Sequence, residues 1–111
     1  MLPFCLNEFV GRGAPGLVLQ LDWTNMWRDR DTQLGFSEGR NALIATVEQA
    51  ARIGADGIMT YLFVGLDDPA AEAAQVDLNA RVSRACEESG MVRILEPMAR
   101  GRRVGSDTFR P

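Results

Sequence analysis

VEQAARIGADGIMTYLFVG, Val47 to Gly65, decides the fold. Leu43, Val47 and Ala50 recur at helical spacing and mark one apolar face. Gly54 follows Ile53, where a helix end favours a residue in the left-handed region. From Gly57 to Val64 the residues are almost all apolar. A strand with one wet face alternates, so this run predicts a strand covered on both faces, as in a parallel α/β sheet.

Upstream, LVLQL (Leu17–Leu21) reads as another strand, with Asp22 and Trp23 at its carboxyl end. It is preceded by MLPFCLNEFV and GRGAPG, in which Gly11, Gly13 and Gly16 match G-x-G-x-x-G by letter. A dinucleotide site needs those glycines after a strand and opening a helix. Here they come before a strand and enclose Pro15, so the stretch reads as a loop. WTNMWRDRDTQLGF, from Trp23 to Phe36, is a long connection, either a lid or a solvated turn. Ser37 as N-cap and Glu38 in the first turn predict a helix from there to about Ile53.

Downstream, Asp68 before Pro69 is a helix start, with Glu72 near the positive end of the helix. Ala71, Ala74, Leu78, Val82 and Ala85 mark its buried face, and Gly90 stops it. MVRILE (Met91–Glu96) is a third strand, ended by Pro97, because proline breaks an interior ladder. The order is strand, helix, strand, helix, strand, with parallel strands and right-handed crossovers. The divisions are an N-terminal segment 1–16, a core 17–97 and a mobile tail 98–111. Functional residues of such sheets gather at the carboxyl ends of the strands. The candidates there are Asp22, residues 65–68, and Glu96 to Arg100.

At 111 residues the chain is at most one domain, and 12 basic against 15 acidic residues argue against nucleic acid as a partner. No apolar run approaches the roughly 20 residues of a membrane span. Cys5 and Cys86 read as separate reduced thiols, which suits a cytoplasmic protein. There is no histidine, the commonest general base and metal ligand. No metal or other cofactor is expected. Every basic residue is arginine, so these residues lack the amine of a Schiff-base mechanism.

EQAARIGADGIMTYLFVG, then a helix, then GMVRILEPMARG, resembles the archaeal-type class I fructose-bisphosphate aldolases. Their superfamily also holds the tagatose-bisphosphate and DeoC-like deoxyribose-phosphate aldolases. The resemblance runs from Ala14 to Gly101 and implies strands three to five of a (β/α)8 TIM barrel of about 250 residues. It implies carbon–carbon lyase chemistry on a phosphorylated sugar through a lysine imine. The lysine's place, on the sixth strand, falls past Pro111. Glu96 resembles the glutamate that tagatose-bisphosphate aldolases use for proton transfer. The fructose enzymes have a tryptophan there and a tyrosine two residues on, where this chain has Met98. Arg100 matches an arginine of the fructose enzymes and implies a phosphate or sugar contact. Asp22 falls where the family has a polar residue at the end of the third strand. The expectation is an aldolase fragment that is inactive alone. The alternative is a non-catalytic binding or assembly module using the 23–36 loop.

Apart from that resemblance, a carboxylate following Ile94 and Leu95 at a strand end is expected to be partly desolvated, which raises a carboxyl pKa and suits proton transfer. The structural alternative for Glu96 is an ion pair with Arg93, Arg100 or Arg102. Tyr61 reads as core, and Trp23 and Trp27 as packing. Free outer strands predict self-association.

Overall fold

The computed structural model describes residue 13, residues 15–25 and residues 40–101. Two sheets and two helices follow in the order β1 (Val18–Gln20), β2 (Asp22–Thr24), β3 (Asn41–Leu43), α1 (Val47–Arg52), β4 (Gly57–Val64), α2 (Pro69–Ser89) and β5 (Val92–Ala99). The principal sheet has the order β1-β4-β5, with both pairings parallel. This is the mixed α/β, strand–helix–strand architecture expected of part of a (β/α)8 barrel.

The register sorts the side chains. Thr60 of β4 and Arg93 of β5 both hydrogen-bond Asn79 of α2, so the even-numbered residues of β4 face the helices. Ile58 is fully buried there with Leu21, Val47, Ala50, Leu78, Val82 and Cys86. Met59, Tyr61 and Phe63 share the opposite face with Ile94, Glu96 and Met98 of β5. That open face is less covered than the all-apolar run implied: Met59 and Tyr61 are half-buried, and Val18, Val92 and Ile94 are exposed.

The longer helix forms as its caps dictate. Asp68 accepts from the Ala70 amide at 2.9 Å, Pro69 opens the helix, and Gly90 closes it at φ 68°. Its buried stripe includes Gln75 and Asn79, polar residues that a purely apolar reading passes over, whereas Ala74 is exposed.

Three expectations need correction. The helix ending near Ile53 does not start at Ser37; Ser37 and Glu38 lie outside the described residues. Asn41–Leu43 instead pairs antiparallel with Asp22–Thr24, and the helix begins after Thr46. Thr46 and Gln49 form a reciprocal capping box, with the Gln49 amide donating to Thr46 Oγ1 at 3.2 Å and the Thr46 amide to Gln49 Oε1 at 2.9 Å. The long connection after Trp23 therefore joins two strands; its residues 26–39 lie outside the described part. Finally, Pro97 does not end the third strand. It pairs in register with Leu62, and β5 runs to Ala99. Among the described residues β5 is an edge strand, where a missing N–H is tolerated.

Cys86 is a free thiol, 4% exposed; Cys5 lies outside the described residues. Burial pushes the Cys86 pKa up against the opposing pull of Arg93. At high pH the unfolded chain loses this proton while the native chain keeps it, so stability falls as pH rises through the thiol range. In a Cys5→Ser background, iodoacetamide should alkylate Cys86 far more slowly in native than in urea-unfolded protein. The urea midpoint should also decline above roughly pH 8.5.

Candidate active site

The candidate site occupies the carboxyl-terminal half of the principal sheet. β1 last meets β4 where the Leu21 amide donates to Met59 O at 3.0 Å. The chain then leaves the sheet to form β2, and Tyr61 loses a backbone partner on that side. Side chains replace it. Asp22, 2% exposed, accepts from the Tyr61 amide at 3.0 Å and from Asn41 Nδ2 at 2.8 Å through Oδ2. Gln20 Nε2 approaches its Oδ1 at 3.4 Å. The Tyr61 carbonyl accepts from Asn79 Nδ2 at 2.9 Å and from Asn41 Nδ2 at 3.3 Å. Asn79 also accepts from Thr60 Oγ1 at 2.7 Å and from Arg93 Nη2 at 2.8 Å, and donates to Gln75 O at 2.9 Å. The backbone N–H and C=O of Tyr61 are thus held from β2, β3 and α2. Buried polar groups need such partners, and here the partners fix where Tyr61 stands.

Glu96 lies beside Tyr61 in the register, on the face opposite the helices. It is exposed rather than partly desolvated, because nothing described covers that end of β5. Nor does it pair with Arg93 or Arg100. Arg93 turns to Asn79 on the helix side, and Arg102 lies outside the described residues. Tyr61 and Glu96 are paired neighbours in the principal sheet, and Asp22, from the second sheet, reaches the Tyr61 amide with its carboxylate.

Asp22 and Arg100, both expected to contact substrate, are instead turned into the protein. The Asp22 carboxylate is occupied by protein donors. Arg100, 8% exposed, donates from Nη1 to Ala99 O at 2.8 Å and from Nη2 to Met98 Sδ at 3.4 Å. Burial draws its guanidinium pKa down. These contacts fasten Asp22 to the Tyr61 amide and Asn41, and tie Arg100 into the end of β5.

Glu72 holds the rim loop, accepting from the Gly65 and Leu66 amides at 2.8 and 3.0 Å. Arg40 reaches Asp68 at 3.6 Å across exposed surface, a contact of small energetic weight. Sequence reading missed Asn41, Asn79 and Thr60; a polar pair at Gln75 and Asn79, one turn apart in the buried stripe of a helix, is the signal that points to them. A cavity of about 350 Å³ lies between β1 and α1, lined by Leu19, Leu21, Ile44 and Ile53 among others. It holds no titratable side chain, and neither Tyr61 nor Glu96 lines it. Among the described residues no three His, Cys, Asp or Glu side chains gather to hold a metal, and no helix is long and apolar enough to cross a membrane.

The family model of the DeoC/LacD aldolases matches residues 6–111. The chain belongs to the DeoC/LacD aldolase family. An uncharacterized aldolase of Saccharolobus solfataricus is 32% identical over 98 residues, 88% of this chain and 35% of the relative. The chain therefore spans about a third of the length of that curated relative. No solved structure gives a significant match.

Proposed function

We propose that this chain is the strand-three-to-five portion of a class I aldolase acting on a phosphorylated sugar in the cytoplasm. The observation carrying the reading is a DeoC/LacD chain whose Glu96 lies in the carboxyl-terminal half of a parallel strand, on the face away from the helices. In the proposed reaction an enzyme lysine forms an imine with the substrate carbonyl. Glu96 accepts the proton of the substrate hydroxyl as the carbon–carbon bond breaks, and the bonding electrons pass to the imine. Asp22 acts one step back, through the Tyr61 amide. Arg100 steadies the strand end, and phosphate contact falls to groups outside the described residues.

The 111 residues contain no lysine, so the imine-forming amine must come from elsewhere in the polypeptide or from another chain. Borohydride reduction of the chain mixed with dihydroxyacetone phosphate should leave its mass unchanged. A reduced-imine adduct located by peptide mapping anywhere other than the N-terminal α-amine would contradict the assignment.

The bare strands bear on partners. Among the described residues β1 and β5 each have one neighbour, and Val18, Val92 and Ile94 are 46, 62 and 43% exposed on the open face. Such surfaces support self-association of the isolated chain. Sedimentation velocity should show concentration-dependent oligomers, reduced by Ile94→Lys. A monomer at every concentration would count against this.

A further inference from the structure

We propose that Tyr61 is a substrate-contacting residue of the aldolase site, its hydroxyl donating a hydrogen bond to the oxygen whose proton Glu96 receives on the neighbouring strand. The inference rests on the aldolase reading and adds to it a residue that apolar patterning assigns to the core.

Four observations carry it. Tyr61 pairs in register with Glu96 on the adjacent strand, about 4.8 Å away. It shares a face with Glu96, outside the larger helix-side cluster, and packs at the edge of the small cluster of Phe63, Leu66 and Ala71. Its ring stacks on Phe63, with centroids 6.0 Å apart and planes 17° from parallel. Phe63 is fully buried two residues nearer the carboxyl end of the strand, so the stack ties the tyrosine ring to the rim. Finally, both polar atoms of its backbone are held by side chains, Asp22 on the amide and Asn79 and Asn41 on the carbonyl. These bonds satisfy the backbone where β1 leaves the sheet, and they also fix where the Tyr61 side chain springs from the strand.

The hydroxyl is left for a ligand. It has no hydrogen-bond partner among the described residues, although Tyr61 is half-buried and buried tyrosine hydroxyls ordinarily find one. Beside it the exposed Glu96 carboxylate offers only acceptors. Donor and acceptor side by side match a hydroxyl or a hydrated carbonyl, which itself both donates and accepts.

Tyr61 is the only tyrosine in the chain, so its Cζ resonance is unambiguous. The full 111-residue chain, labelled with ¹³C at tyrosine Cζ and glutamate Cδ, is titrated with glyceraldehyde 3-phosphate. The proposal expects the Tyr61 and Glu96 signals to move together with one dissociation constant. Tyr61→Phe, which keeps the ring and its stacking, should weaken the Glu96 response about fivefold, the equivalent of one ordinary hydrogen bond, at unchanged melting temperature. A Glu96 response with Tyr61 still, or equal affinity in Tyr61→Phe, overturns the tyrosine's role and leaves the aldolase reading intact. If neither signal moves, the aldolase reading of this face fails, and the proposal with it.

Discussion

Gly101→Ala should destabilise the chain by about 3 kcal/mol or more, the largest effect of any single methyl group added here. Two penalties combine at this position. Gly101 has φ 108°, a backbone region that side chains rarely enter, and a Cβ there would overlap the Gly65 carbonyl oxygen. The obstruction is backbone from the β4–α2 loop, which cannot rotate aside. That loop is itself tied down, because its Gly65 and Leu66 amides bind Glu72 and a Cβ at Gly65 would stand 2.8 Å from the Arg100 carbonyl oxygen. The two rim loops therefore meet glycine to backbone. Gly54→Ala is the matched control: its φ is 83°, but nothing lies within 4 Å of the added carbon. It should cost only the conformational penalty of about 1 to 2 kcal/mol. Urea unfolding of the two variants separates the effects. Equal midpoints would mean that the rim loops are not in contact.

Asn79→Ala should cost about 2 to 4 kcal/mol, more than an exposed asparagine would, because several buried groups lose a partner together. Asn79 is 5% exposed. Its oxygen serves Thr60 and Arg93, and its nitrogen serves the Tyr61 and Gln75 carbonyls. Removing the amide leaves the Thr60 hydroxyl, at 0% exposure, without its acceptor and the Arg93 guanidinium without its neutral counterpart. The Tyr61 carbonyl keeps only the longer contact from Asn41. The loss should appear as a lower urea midpoint with an unchanged slope, because the fold itself does not depend on this amide. A loss below about 0.5 kcal/mol would show that water takes over these bonds and that the clamp on Tyr61 is loose.

Much of the architecture was legible where local chemistry and packing agree. Gly57–Val64 is apolar because the sheet buries its middle strand, and it forms over the expected residues. Asp68, Pro69 and Gly90 bound the long helix because each satisfies or tolerates what a helix end demands. The errors came where a distant partner outweighs a local preference. Asn41–Leu43 reads as helix only while its antiparallel partner Asp22–Thr24 is unseen, and the Thr46…Gln49 box that starts the true helix was present in the letters. Pro97 reads as a stop only if β5 is taken as interior.

The candidate residues were legible by position and less so by role. Asp22 falls just beyond β1, as its position after LVLQL implies, but Glu96 lies three residues short of the end of β5, which Pro97 does not stop. That Asp22 binds a peptide amide 39 residues away depends on where β1 leaves the sheet, which no local pattern encodes. Burial of Arg100 likewise depends on the turn at Gly101 and its contact with the other rim loop.

The most direct test of the account is the direction of β5 against β4, with Glu96 level with Tyr61. A ¹³C/¹⁵N-edited NOESY spectrum reads both at once. Parallel pairing predicts cross-strand amide–Hα contacts in the register Met59↔Ile94 and Tyr61↔Glu96, with side-chain contacts from Tyr61 to Glu96. Strong cross-strand Hα–Hα contacts between these segments, the mark of antiparallel pairing, would contradict it, as would contacts from Glu96 to residues of α2.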